Sequence, residues 1–236
     1  MNTAFTLKRY CILLRVLLLV AAPLVGTYSA FAESPPAATS QKIIVLGDSL
    51  SAEYGLRRGT GWVPLLAERL NTPTPDKRGK WIVVNASISG DTTAGGKARL
   101  PGLMRAQTAQ VLVIELGGND ALRGLPLKET RANLLDMVAM AQQKKMRVLL
   151  LGMQMPPNYG ANYAKQFEQM YQEIANSQKV ALVPFFLKGV ADVPQASSLF
   201  QADRIHPNEA AQAQLLANVL PQLLPLLQSN TLTRKK

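Results

Sequence analysis

The 236-residue chain has one cysteine, Cys11, and one histidine, His206. Cys11 falls in a segment that reads as a removable leader, so the remainder carries no thiol. That excludes disulfides, a cysteine nucleophile and any thiolate metal site. With only one histidine besides, the donors of a transition-metal centre are missing, and the carboxylates show no spacing suited to a hard cation. Aromatic residues make up 6% of the chain, and no stretch interleaves them with basic residues as a nucleic-acid groove requires. A P-loop and a Gly-x-Gly-x-x-Gly turn after a strand are both absent.

A long hydrophobic run is also lacking. Val16 to Val25 is about half the roughly 20 residues a membrane span needs, and Pro23 and Gly26 interrupt it. Lys8, Arg9 and Arg15 come with it, and Ser29-Ala30-Phe31-Ala32 supplies small residues at cleavage positions. Residues 1–32 therefore read as a secretory signal cut after Ala32, and the expected location is periplasmic or secreted. Cys11 precedes the apolar stretch, which does not suit lipidation. Residues 33–41 read as a Pro/Ser/Ala linker, 42–228 as one domain and 229–236 as a basic tail.

Acidic residues are few, 15 against 26 Lys and Arg, for a net charge of +11. The leader holds three basic residues and no acidic one, so the remainder keeps +8. Such a balance allows transient contact with an anionic membrane surface. A solvated basic surface ending in Thr233-Arg234-Lys235-Lys236 is the plainer explanation.

What is present is a βαβ alternation. Five short, near-continuously apolar runs, Lys42–Leu46, Trp81–Asn85, Val111–Leu116, Arg147–Leu151 and Val180–Pro184, suit parallel strands covered on both faces. Helical patterns fall between them at about 62–70, 94–106, 128–144 and 162–177, and a last one, 207–227, closes the domain. The expected fold is α/β, a doubly wound parallel sheet. A monomer is the default expectation.

Three polar or Gly-rich turns follow strands: Gly47-Asp48-Ser49, Ser89-Gly90-Asp91 and Gly117-Gly118-Asn119-Asp120. Strand exits of an open parallel sheet face the crevice where ligands bind. Ser49 could act there as a nucleophile if a base lies within hydrogen-bond reach. The only imidazole is His206, in Asp203-Arg204-Ile205-His206-Pro207. Pro207 suits a first helical position, which puts His206 in the turn leading into the last helix. Asp203, three residues upstream, can bond the imidazole and fix its tautomer. The Ser49 and Gly90 N–H groups and the Asn119 amide are candidate donors to a developing oxyanion. If His206 is the base, kcat/KM should fall as pH drops through about 6.5.

The blocks Gly47-Asp48-Ser49-Leu50, Gly90, Gly118-Asn119-Asp120 and Asp203-x-x-His206 resemble the GDSL, or SGNH, hydrolases, from Lys42 to about Leu227. The resemblance implies a flavodoxin-like three-layer α/β/α sandwich and a serine nucleophile with His206 as base and Asp203 orienting it. It further implies an oxyanion hole of Ser49, Gly90 and Asn119, and no cofactor. The stretches Val84–Thr92, Glu115–Gly124 and Pro157–Gly160 are similar to one branch, the acyl-CoA thioesterase I/lysophospholipase and arylesterase group of Gram-negative periplasms. That branch implies acyl ester, thioester or lysophospholipid substrates. The sequence differs from it at Gln201-Ala202-Asp203-Arg204, where Arg204 bears on substrate preference. The motif is not the Gly-x-Ser-x-Gly elbow, because Ser51 stands two residues after Ser49.

Asp48, Asp91 and Asp120 lie beside these residues, and turn-forming or capping roles suit them best. The loop Met153–Gly160 leaves the fourth strand, and Met155, Pro157 and Tyr159 are candidates to line an acyl-chain groove. Two other functions fit parts of the chain: a carbohydrate O-deacetylase, and a lipid carrier that does not turn its ligand over. The carrier would need none of Ser49, His206 and Asp203.

Overall fold

A computed structural model describes residues 41–72, 81–155 and 159–228. The leader, residues 33–40 of the linker, the basic tail and Pro157 lie outside the described residues. Five strands form the sheet: β1 (Gln41–Gly47), β2 (Trp81–Asn85), β3 (Val111–Glu115), β4 (Arg147–Leu151) and β5 (Ala181–Val183). All neighbours are parallel, in the order β2-β1-β3-β4-β5. This is the flavodoxin-like order, whose switch point lies between β1 and β3. Central β3 is buried at every position, as a strand covered on both faces should be. Edge strand β2 is partly exposed.

The helices are α1 (Trp62–Asn71), α2 (Thr93–Ala106), α3 (Gly118–Leu122), α4 (Leu127–Gln143), α5 (Ala161–Gln178) and α6 (Gln212–Leu227). One layer packs α1 with α6 and the other packs α2, α4 and α5 together, giving the three-layer sandwich. Each long helix buries a stripe. In α5 it runs through Phe167, Met170, Tyr171, Ile174 and Ala175, the i, i+3, i+4, i+7, i+8 spacing of one helical face. Trp62 and Phe186 meet edge to face at 5.5 Å beneath the β1 exit.

The elements depart from expectation in three places. The last strand is shorter than Val180–Pro184: Val180 N–H donates to Ala175 O, closing α5, and Pro184 has no N–H to give. Gly118–Leu122 is a short helix rather than a plain turn. The last helix starts at Gln212, not Pro207, and the cause is local. Phe200 and Pro207 form an antiparallel bridge, and Gln201 N–H donates to His206 O, so that backbone is committed to extended pairing. Asn208 then caps a short 3₁₀ turn, Glu209–Ala211, through Ala210 N–H at 3.0 Å.

Candidate active site

β1 carries buried Ile43 to Leu46 to the sheet's edge and stops at Gly47. A Cβ on Gly47 would stand 2.8 Å from the Ser51 side chain and 2.9 Å from Glu115 Oε2. Only glycine lets the chain turn there so tightly. The turn is closed by Ser51 and Ala52 N–H donating to Asp48 O, and it leaves Ser49 half-buried.

Across from it, the Phe200–Pro207 bridge presents His206. Its Nε2 lies 2.9 Å from Ser49 Oγ, and its Nδ1 lies 2.6 Å from Asp203 Oδ2. Asp203 Oδ1 accepts from the N–H groups of Ile205 (2.9 Å) and His206 (3.0 Å). Those backbone donors, His206 N–H first, with the imidazole behind them, hold the Asp203 carboxyl down at about 2. Asp203 is therefore ionised throughout the ordinary pH range. An imidazole with a carboxylate at one nitrogen and a hydroxyl at the other can take the hydroxyl's proton and return it.

Two further segments reach this edge. Ile88 N–H donates to Gly47 O at 3.0 Å, tying the loop after β2 to the end of β1. Asp91 N–H closes an Ile88–Asp91 turn onto Ile88 O, with Gly90 at φ +79° in its third position. A side chain there would be strained, whereas glycine is at ease. Arg123 donates to Gly90 O at 2.8 Å and so fixes that peptide from its carbonyl side. Among the described residues, neither Ser49 N–H nor Gly90 N–H has an acceptor in the protein.

After β3 the chain turns at Gly117 into α3, which carries Asn119. Asn119 Nδ2 donates to Asp48 Oδ2 at 3.0 Å, and Leu50 N–H donates to Asp48 Oδ1 at 3.0 Å. Asp48 thus forms the expected turn, and it also grips the neighbouring amide. Burial pushes its carboxyl up to about 6, against the hydrogen bonds it accepts.

Below Asp48 lies Glu115, fully buried at the end of β3. Its Oε2 accepts from Ser51 Oγ–H at 2.8 Å and Asp48 N–H at 3.3 Å. Trp62 Nε1–H donates in turn to Ser51 Oγ at 3.1 Å. Burial first, then the Asp48 charge, raises the Glu115 carboxyl well above its ordinary value.

Sequence reasoning missed Glu115, which read there as the end of an apolar strand. It also missed Tyr54, whose ring lies 4.4 Å, centroid to centroid, from that of His206. Arg99 was a third omission; it pairs with Asp91 at 2.8 Å and donates to Ala86 O and Gly47 O. Asp91 is held by this pair, while the α2 cap is Thr92. Asp120 is buried and accepts from the N–H and hydroxyl of Thr93, the structural place expected of it. Of the loop after β4, Met155 is buried in the core, whereas Tyr159 is exposed.

Comparison with known proteins gives the family. The chain is 50% identical over 190 residues to esterase TesA of Pseudomonas aeruginosa, covering 80% of this chain and 91% of that one. It is 37% identical over 191 residues to thioesterase 1/protease 1/lysophospholipase L1 of Escherichia coli K12, covering 81% of this chain and 87% of that one. Among solved structures, the psychrotrophic esterase EstA of Pseudoalteromonas sp., inhibited by monoethylphosphonate, superposes with a TM-score of 0.72 at 34% identity. That match covers 80% of this chain and all of EstA (100%). The model of the GDSL-like lipase/acylhydrolase family matches residues 45–214, and the chain belongs to that family.

Proposed function

We propose that the protein hydrolyses carboxylic esters and thioesters of acyl chains through an acyl-enzyme on Ser49. Ser49 Oγ attacks the acyl carbonyl as its proton passes to His206 Nε2. Asp203 holds the ring in the tautomer that leaves Nε2 free and balances the charge the ring gains. Ser49 N–H, Gly90 N–H and one N–H of Asn119 receive the oxyanion. Collapse expels the alcohol or thiol, which takes the proton from His206. Water, deprotonated by the same nitrogen, then releases the fatty acid.

The observation that carries this reading is the pair of contacts on one imidazole, 2.9 Å to Ser49 Oγ and 2.6 Å to Asp203 Oδ2. Substrates with acyl chains longer than acetyl are favoured by the rim of the site. Of six exposed large apolar side chains among the described residues, five lie between the end of a strand and the next long helix: Tyr54, Ile88, Leu122, Tyr159 and Ile205. Each of the five strands is followed by one of them. The TesA and thioesterase 1 names point to esters and thioesters. The leader and the net charge support export and transient contact with anionic lipid.

The test uses residues 33–236 and the same chain with Ser49→Ala, on p-nitrophenyl esters from acetyl to palmitoyl, with an acyl-CoA and a lysophospholipid alongside. The expected result is turnover that rises with chain length and falls by about 10³-fold or more without the serine hydroxyl. Turnover confined to acetyl esters would replace this reading with a deacetylase. Serine-independent turnover would refute it.

A further inference from the structure

We propose that Asp48 is a positioning residue for the reaction: its carboxylate fixes which end of the Asn119 carboxamide faces the developing oxyanion. The proposal rests on Asn119 being an oxyanion donor, as read above.

A carboxamide can turn over by half a rotation at little cost. One orientation offers N–H to the oxyanion and the other offers a carbonyl oxygen, which would repel it. Asn119 has two N–H bonds and one goes to Asp48 Oδ2, at 3.0 Å. An ionised carboxylate only accepts, so it binds the NH₂ end and rejects the oxygen end. The second N–H is left for the substrate. Asp48 is itself immobile: its other oxygen accepts from Leu50 N–H, it is buried, and its own N–H is bonded to Glu115. It adjoins Ser49 in the chain, so one residue sets the nucleophile's turn and the amide's orientation together.

The charged and titratable groups facing Asp48 come from four other elements. Glu115 lies at the end of β3, Tyr171 on α5 and His206 in the loop before α6. Arg99, on α2, reaches the adjacent Gly47 carbonyl at 3.4 Å. Glu115 Oε2 is taken by the Ser51 hydroxyl and Asp48 N–H, and the Tyr171 hydroxyl, pushed well up by burial, donates to Leu116 O. Neither competes with Asp48 for the amide.

The test is a double-mutant cycle of Asp48→Asn and Asn119→Ala, read on a soluble aryl ester. Asparagine at position 48 puts a donor where an acceptor stood, so one of its two bonds is lost and a turned-over amide is tolerated. We expect Asp48→Asn to lower kcat about 10- to 100-fold with KM within about threefold, a fraction of the loss from removing an oxyanion donor outright. In the Asn119→Ala background the same substitution should cost less than about threefold. Equal losses in both backgrounds, or a loss carried by KM, would make Asp48 a structural residue only. An unimpaired Asn119→Ala enzyme would overturn both the proposal and the oxyanion reading. A normal Asp48→Asn enzyme beside an impaired Asn119→Ala would overturn the proposal alone.

Should Asp48→Asn fail to fold, the cycle is run with Asp48→Ser, whose hydroxyl can still accept from Leu50 N–H but both donates and accepts, and so takes either end of the amide. The same pattern of losses is expected. Equal losses with and without Asn119, or a normal Asp48→Ser enzyme beside an impaired Asn119→Ala, would overturn the proposal.

Discussion

At the scale of single residues, the site separates groups that chemistry requires from groups that the fold requires. Ser49, His206 and Asp203, which the structure brings together, and the candidate donors Gly90 and Asn119 could be picked from the sequence because the proposed acyl transfer calls for those residue types at strand exits. Glu115 could not, because its partners Ser51 and Asp48 lie 64 and 67 positions away, and only the closed sheet brings them together. Its carboxyl, raised well above the ordinary value by burial, gives a sharp expectation. Glu115→Gln keeps a neutral, hydrogen-bonding group of the same shape and should shift stability by less than about 1 kcal/mol. Glu115→Ala leaves the Ser51 hydroxyl and Asp48 N–H without their acceptor and should cost about 2–4 kcal/mol in urea unfolding. Asp48 has the opposite pH behaviour to an ordinary salt-bridged carboxylate. Its folded-state value, about 6, lies above the ordinary 3.8, so the folded protein takes up this proton before the unfolded chain does. Stability from this residue is full below about pH 4 and declines as pH rises through 6, by on the order of 2 kcal/mol. Thermal unfolding followed from pH 4 to 7 should show a shallower decline in Asp48→Asn than in the native protein, because the buried Glu115 carboxyl, raised as well, adds its own slope in both. Asp203 runs the other way: its contribution holds above 3.8 and is lost only as pH falls through about 2, and solvent weakens it because the side chain is exposed.

At the scale of elements, the strands were readable from their unbroken apolar runs and the helices from their spacing. The junctions were not. α3 has five residues, too few for any periodicity to register, and the delayed start of α6 follows from a bridge that local sequence does not announce. One such junction bears on the site. Asp120, next to Asn119 on α3, accepts from both the backbone and the hydroxyl of Thr93 at the start of α2. Asn133 of α4 adds a bond to the same hydroxyl at 3.2 Å. This clamp sets the Gly90 turn, just ahead of α2, against the helix that carries Asn119. Asp120→Ala should cost about 2–4 kcal/mol by stranding buried donors, and kcat should fall with it. The check is unfolding by denaturant beside kcat at a temperature where the variant is folded; a stable but inactive variant would place the clamp's effect in the site alone.

At the scale of the whole molecule, composition excludes thiol chemistry among the described residues, which hold no cysteine, and the sheet and its helices close over one hydrophobic core. The distribution of exposed apolar side chains was legible only once the five strand exits were known to share an edge. If that rim receives acyl chains, Leu122→Ser should lower kcat/KM about 3- to 30-fold on a palmitoyl ester and less than about twofold on acetate. Equal effects on both would assign Leu122 to the fold. The long span of the central contact has its own consequence. Ser49 and His206 are 157 positions apart, and Asn119 meets Asp48 across 71. A chain made from its N-terminus holds its nucleophile early and gains its only imidazole near the end. On the proposed mechanism, activity in refolding returns only once that long-range contact has closed, so its recovery reports the closure.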